Sequence, residues 1–324
     1  MKLMTEVDLP DYPFRLDHDK PVLLMGSCFT ENIGRQLDRY LFPVCINPFG
    51  VIYNPLSVKK NLEALMHKEA YGVEDLRQHD GLWFSFDHYT GFSSPDRDET
   101  LDGINQSFLS AKDLLKTAGI LVMTWGTSWV YRYNETGQVV CNCHKIPARE
   151  FTRTRLTTEE VISAYGSFLP ELFEFNNDLK IIYTISPVRH WKDGAHGNQL
   201  SKANLLLAGD VLQEQFPDQF FYFPSYEIVM DELRDYRFYA GDMIHTNDQA
   251  TAYIWEKFKQ SLISESSTKA VHDLEPLLKM RDHRPFNRSA ESTEKLQKQL
   301  GEQVKKMKSI YPGLNWSNFL KINP

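Results

Sequence analysis

Three groups of residues in this chain carry side chains that could do chemistry together. The first is Gly26-Ser27-Cys28, which closes the apolar run 22–25 and opens a helix-like pattern. A strand-to-helix turn needs only a glycine and a capping residue, so a hydroxyl and a thiol there offer a nucleophile as well. A free thiol titrates at about 8.5, and a helix N-terminus with a nearby imidazole can lower that. Cys28 is therefore expected to be the nucleophile. Ser27 caps the helix or, with the turn shifted by one residue, is itself the reactive group. The second group is Asp242 and His245. Three-residue spacing lets one short turn aim both side chains at one centre. The carboxylate then fixes the imidazole tautomer while the other ring nitrogen faces Cys28. The chain order nucleophile, Asp, His is that of known hydrolases on α/β folds.

The third group lies just after the other apolar runs. Gly50, in NPFGVIYNP, either permits a turn with positive φ or lets a backbone N–H approach an oxyanion, and the two roles are compatible. Asn54 and Ser128 are candidate side-chain donors to the same oxyanion, beside Gly126. Arg189 and His190 open a polar loop with an aromatic, Trp191. They suit either a solvated strand cap or a carboxylate-binding pocket wall. Cys141, Cys143 and His144 offer three soft ligands, with 141 and 143 on one side of a strand and His144 on the other. A structural zinc site wants four, and no paired C-x-x-C lies elsewhere, so no metal is expected. His144 is read instead as part of a loop on the site rim.

These groups need a scaffold that brings strand ends together. Five short apolar runs (22–25, 44–46, 120–124, 180–185 and 220–223) read as strands buried on both faces. Helical periodicity fits 31–41, 57–66, 104–118, 159–175, 201–216 and 248–261. Thr157 with Glu160 resembles a capping box. The alternation predicts a doubly wound, mainly parallel five-stranded α/β sheet, a three-layer sandwich. Ligands of such sheets bind beyond the carboxyl ends of the strands, where all three groups fall. Segment 129–143, with its Asn-Glu-Thr-Gly turn, reads as an inserted hairpin. Residues 71–103 read as a long irregular excursion. A polar tail from about 266, with one helix over 291–307, reads as an extension packed on a 1–265 domain.

Composition narrows the function. The 324 residues are 42% hydrophobic and 24% charged, with a net charge of −7. That balance is ordinary for a soluble globular chain and disfavours a nucleic-acid partner. No stretch is as apolar as a signal peptide or a membrane span. Four cysteines are too few for a disulfide scaffold and fit a reducing cytoplasm. No phosphate-cradling glycine loop is present, and no cofactor is expected. The oligomeric state is left open.

Gly26-Ser27-Cys28-Phe29 with Thr30 resembles the signature of the GSCFA family, which is similar to the SGNH/GDSL esterases. In that alignment Gly26 takes the first Gly, Ser27 the Asp and Cys28 the nucleophilic Ser of the G-D-S turn. Asn47 and Gly50 fall at the glycine block. Gly126-Thr127-Ser128-Trp129 stands at the G-x-N-D block, and Asp242 with His245 supplies the late D-x-x-H. The resemblance covers roughly residues 18–265. It implies an SGNH fold and a hydrolase or acyltransferase working through Cys28, His245 and Asp242. The implied substrate is a small-molecule or glycan acyl ester or thioester. Two departures stand out: cysteine replaces serine, and Ser128 replaces the oxyanion asparagine. A non-catalytic ligand-binding or scaffold protein on the same fold is the alternative.

Overall fold

The structure is a computed structural model, and it describes residues 4–283 and 290–319. The chain opens with β1 (Val22–Gly26), α1 (Cys28–Arg39), β2 (Val44–Ile46) and α2 (Pro55–His67). The excursion follows. It contains a short antiparallel pair, β3 (Arg77–His79) and β4 (Leu82–Phe84), and leads into α3 (Arg97–Leu115) and β5 (Ile120–Trp125). A small antiparallel sheet comes next: β6 (Trp129–Tyr133), β7 (Val139–Val140) and β8 (Phe151–Arg155) in the order β7-β6-β8. The hairpin read from the sequence is thus three-stranded. Its third strand, FTRTR, alternates with no flanking apolar run to mark it in the sequence. Then come α4 (Thr158–Phe175), β9 (Lys180–Ile185), α5 (Gly194–Gln215) and β10 (Phe220–Tyr222). The chain finishes with α6 (Ser225–Glu227), α7 (Asp248–Leu262), α8 (Glu265–Asp282) and α9 (Ala290–Ile310).

The central sheet has the order β10-β9-β5-β1-β2, and all its pairings are parallel. This is the flavodoxin-like winding, whose strand order reverses between β1 and β5. Side-chain alternation explains the two helical layers. Leu23, Met25, Leu121, Met123 and Trp125 face the core built with α2 to α5. Val22, Leu24, Ile120 and Val122 face the core built with α1 and α7. Covered on both sides, the strands must be apolar throughout, as the sequence has them. Thr157 and Glu160 form the expected capping box, with Glu160 N–H donating to Thr157 Oγ1 at 3.2 Å and Thr157 N–H to Glu160 Oε2 at 2.8 Å. Leu274, Leu277 and Leu278 of α8 pack with Leu41, Val304 and Phe319. Among the described residues, no helix is long and apolar enough to cross a membrane.

Candidate active site

The switch point is laced by backbone hydrogen bonds. Ile52 N–H donates to Gly26 O at 2.9 Å, and Gly126 and Thr127 N–H both donate to Tyr53 O, at 2.7 and 2.9 Å. Gly26 is obligatory here: its φ is +145°, and a Cβ would lie 2.3 Å from Thr124 O. Gly126 is squeezed too, since a Cβ there would meet Tyr53 O at 3.2 Å and His190 Nε2 at 3.3 Å. The ends of β1 and β5, the 52–54 loop and His190 therefore form one tight rim.

Ser27 is the N-cap of α1. Its hydroxyl accepts from Phe29 N–H at 3.3 Å, and the side chain is buried. Cys28 follows as the first helical residue, half-buried, with a free thiol. Burial pushes that thiol above its ordinary value, and Glu31 adds to the rise; the amides of Phe29 and Cys28 and the Lys202 ammonium pull it back without reversing it. The lowered thiol expected from the helix terminus is therefore overturned, because desolvation of a thiolate outweighs one terminus. Among the described residues, no hydrogen bond joins the thiol to an imidazole.

Asp242 and His245 form the pair that their spacing suggested. Asp242 Oδ2 lies 2.6 Å from His245 Nδ1, and Oδ1 accepts from the Ile244 and His245 amides, both at 3.0 Å. These bonds, with the His245 side chain foremost, hold the carboxyl far below the usual range. His245 Nε2 makes no hydrogen bond among the described residues. The pair sits on an exposed loop, which reaches the rim where Asp242 and Arg189 line one cavity.

The proposed oxyanion donors have other partners. Gly50 takes a φ of +78° and its N–H donates to Asn47 O at 2.7 Å, so it serves the turn and not an oxyanion. Asn54 caps α2, accepting from Ser57 N–H at 2.8 Å and donating to Ser57 Oγ at 3.0 Å. Ser128 is fully buried, and both its N–H and its hydroxyl donate to Ser201 Oγ. The amide of Cys28 is left, and so is Asn47, whose Oδ1 accepts from Gly26 N–H at 2.9 Å and whose Nδ2 is buried without a partner. His144 is not a rim residue either. It stacks on Phe84 at 4.3 Å, and its Nε2 lies 2.9 Å from Ser85 O, inside the excursion's aromatic core.

His190 does belong to the rim. It packs edge-on against Tyr53 with ring centroids 5.3 Å apart, and its N–H donates to Asn198 Oδ1 at 3.0 Å. Burial brings its ring down to about 4, with Lys202, Arg153 and His245 repelling the proton and Asp193 opposing them. Lys202, which the sequence did not single out, is buried beneath. Its Nζ donates to Gly126 O and to Ser186 O, both at 2.6 Å, tying the ends of β5 and β9 together. Burial brings it down to about 7, with Cys28 opposing and Arg189 adding to the fall. Its signal was present: Asn198, Lys202, Leu205 and Leu212 share the buried face of α5.

The GSCFA family model matches residues 21–258. This chain belongs to the GSCFA family. No curated protein matches it. Among solved structures, it is similar to an acetyl xylan esterase from the rumen bacterium Butyrivibrio proteoclasticus. The two share 11% identity at a TM-score of 0.31, with 78% of this chain and 66% of that one covered. The GSCFA chain thus spans just under two thirds of that esterase's length. The family match places the Gly-Ser-Cys turn, the switch-point glycines and the Asp242–His245 pair within one GSCFA region.

Proposed function

We propose that this GSCFA protein is an SGNH-like acyl hydrolase or acyltransferase acting on an ester or thioester through Cys28, His245 and Asp242. What supports the reading is the preformed Asp242–His245 pair, with Nε2 uncommitted among the described residues, together with a free thiol at a helix N-terminus at the end of β1. Cys28 Sγ attacks the acyl carbon as its proton passes to His245 Nε2. The carbonyl oxygen becomes an oxyanion held by the Cys28 N–H, with Asn47 Nδ2 as the second donor after local adjustment. The acyl–oxygen or acyl–sulfur bond then breaks, and the leaving group takes the proton from His245. Water or an acceptor hydroxyl gives its proton to the same nitrogen, attacks the Cys28 thioester and releases the thiol. Asp242 keeps the ring in the required tautomer throughout.

The four free thiols support a reducing, cytoplasmic setting. The working unit in this reading is residues 1–265, with 266–324 as an extension whose described part, 266–283 and 290–319, is mainly helical. A short-chain probe such as 4-nitrophenyl butyrate tests the chemistry. Brief reaction, acid quench and mass spectrometry should find a butyryl group on the peptide carrying Cys28. Turnover without that adduct, undiminished in Cys28→Ala, sinks the assignment.

The raised thiol and the committed donors favour a second reading, a non-catalytic ligand-binding protein on the same fold. Iodoacetamide labelling near neutral pH separates the two. The enzyme reading expects Cys28 to react before Cys45, Cys141 and Cys143, which burial pushes to about 11, 12 and 11. Equal or slower labelling of Cys28 favours the binder.

A further inference from the structure

Next to the Asp242–His245 pair lies a cavity of about 850 Å3, between the 189–191 loop, the turn after α6 and the 234–244 loop. Its walls mix apolar and aromatic side chains, Val229, Met230, Tyr239 and Ile244 among them, with polar surface of nearly equal extent. Three large side chains at its edge, Trp191, Tyr236 and Met243, are 57%, 73% and 55% exposed. Met243 is held outward by a backbone with φ of +59°, which a long side chain seldom adopts. Exposed apolar surface gathered around one concavity marks a binding site more than chance scatter.

Four charged residues line the cavity, and three have partners inside the fold. Arg234 bonds Asp231 at 2.6 Å, Asp235 lies 3.6 Å from Arg237, and Asp242 holds His245. Arg189 differs. Its described contact is with Met230 Sδ at 3.6 Å, and among the described residues no carboxylate pairs with it. A guanidinium stays charged at any pH a folded protein meets, so its other N–H groups are available to an anion. Its planar fork suits a carboxylate or a phosphate. Asp235 and Asp242 on the same walls would repel a dianion, which leaves the singly charged carboxylate as the better fit.

We propose that this cavity binds the carboxylate-bearing end of an apolar ligand, with Arg189 as the anion's partner, and so selects esters that carry a carboxylate remote from the reacting carbonyl. The selection of esters rests on the function proposed above; the binding of the carboxylate does not. The apolar side chains of the wall take the spacer, and Asp242, which lines the same cavity, holds His245 next to it.

Two arms of one experiment keep the proposals apart. Calorimetric titration of the intact protein with 4-phenylbutyrate and with 4-phenylbutyramide reads the cavity without any chemistry. The carboxylate should bind about tenfold tighter or more. That preference should vanish in Arg189→Met and partly return in Arg189→Lys. Met243→Glu, at a side chain exposed on the cavity edge, should weaken the carboxylate alone. Equal binding of the two probes, or a preference untouched by both Arg189→Met and Met243→Glu, overturns the proposal. Tighter binding of 2-phenylethyl phosphate than of 4-phenylbutyrate overturns the choice of carboxylate. In the second arm, kcat/KM for the mono-4-nitrophenyl ester of glutaric acid should exceed that for 4-nitrophenyl pentanoate, chiefly through KM. Selective binding with no turnover of either ester sustains the carboxylate site and counts against the catalytic reading.

Discussion

The two halves of the rim are built in opposite ways. The half made by β1, β5 and β9 is buried and cross-tied: Gly26, Gly126 and Ser186 are bonded to Ile52, Tyr53 and Lys202, and Cys28 sits on that frame. The half made by the 235–247 loop is exposed and bonded mainly to itself, with Ala240 N–H donating to His245 O at 2.7 Å. A nucleophile placed on rigid elements has its position fixed in advance, whereas a base on a self-contained turn has its orientation fixed but not its reach. Competence in such a site depends on how the loop meets the frame.

The sharpest way to break this contrast is mutation of the reacting groups. Cys28→Ala should lower ester turnover by about 10⁴ or more, and His245→Ala by about 10²–10⁴, with non-additive losses when combined. Both variants should melt close to the parent, because neither side chain supports the core. Full activity in Cys28→Ala would move the nucleophile elsewhere, with Ser27 the first residue to test. His190→Ala run beside His245→Ala asks which ring serves the thiol. The larger loss should fall on His245, and the reverse would transfer the base to the buried half.

Stability should divide the halves the other way. Lys202→Met leaves the Gly126 and Ser186 carbonyls without their donor, at a cost of about 1–3 kcal/mol for each buried group. Asp242→Asn should change the unfolding midpoint little while cutting turnover. Equal midpoints for the two variants in urea would show that the lysine does not tie the frame. Lys202 also gives a sign for alkaline pH. Its folded value of about 7 lies below the ordinary 10.5, so the unfolded chain binds the extra proton between the two. Stability should therefore rise across that window relative to Lys202→Met.

Acid should act on the buried histidines. His88, His144 and His190 sit at about 3, 4 and 4 in the fold, against an ordinary 6.5. Between those values the unfolded chain binds more protons, so their stability contribution is complete above pH 6.5 and is lost as pH falls toward 4. His88 is fully buried with neither ring nitrogen partnered, so His88→Phe should flatten part of the slope. A slope unchanged by that substitution would remove His88 from the account. The smallest effect is expected of Ser27→Ala, which removes a helix cap worth about 0.5–2 kcal/mol and should leave turnover within a few-fold of the parent.

What could be foreseen from the chain follows the same division. The five strands were legible because a sheet covered on both faces demands uninterrupted apolar runs, and the Asp242–His245 pair because three-residue spacing is a local property. The burial of Lys202 could be read from its place on the apolar face of α5, but its role could not, because its two carbonyl partners come from the ends of other strands. Asn54 differs, because its role is local. Asn54-Pro55-Leu56-Ser57 reads locally as a cap with proline in the first turn, so its structural role was open to inspection. Ser128 could not be judged alone, since Ser201 reaches it from α5. The thiol was misjudged because burial, unlike a helix terminus, is set by the whole fold.

The strand order of the central sheet has a further consequence, for how the molecule is made. β1 pairs with β2 close by, Val22 against Val44, but its other edge waits for β5, where Val22 meets Ile120. The excursion and α3 lie between. During synthesis, an apolar strand ending in the Gly-Ser-Cys turn therefore stays half-unpaired until Trp125 has left the ribosome, and such long-range parallel pairing closes slowly. The segment that carries the thiol is thus among the earliest made and waits longest, in residues of chain, for its second neighbour. Exposure to sticking and to oxidants should be greatest for the nascent chain, before any site exists to protect.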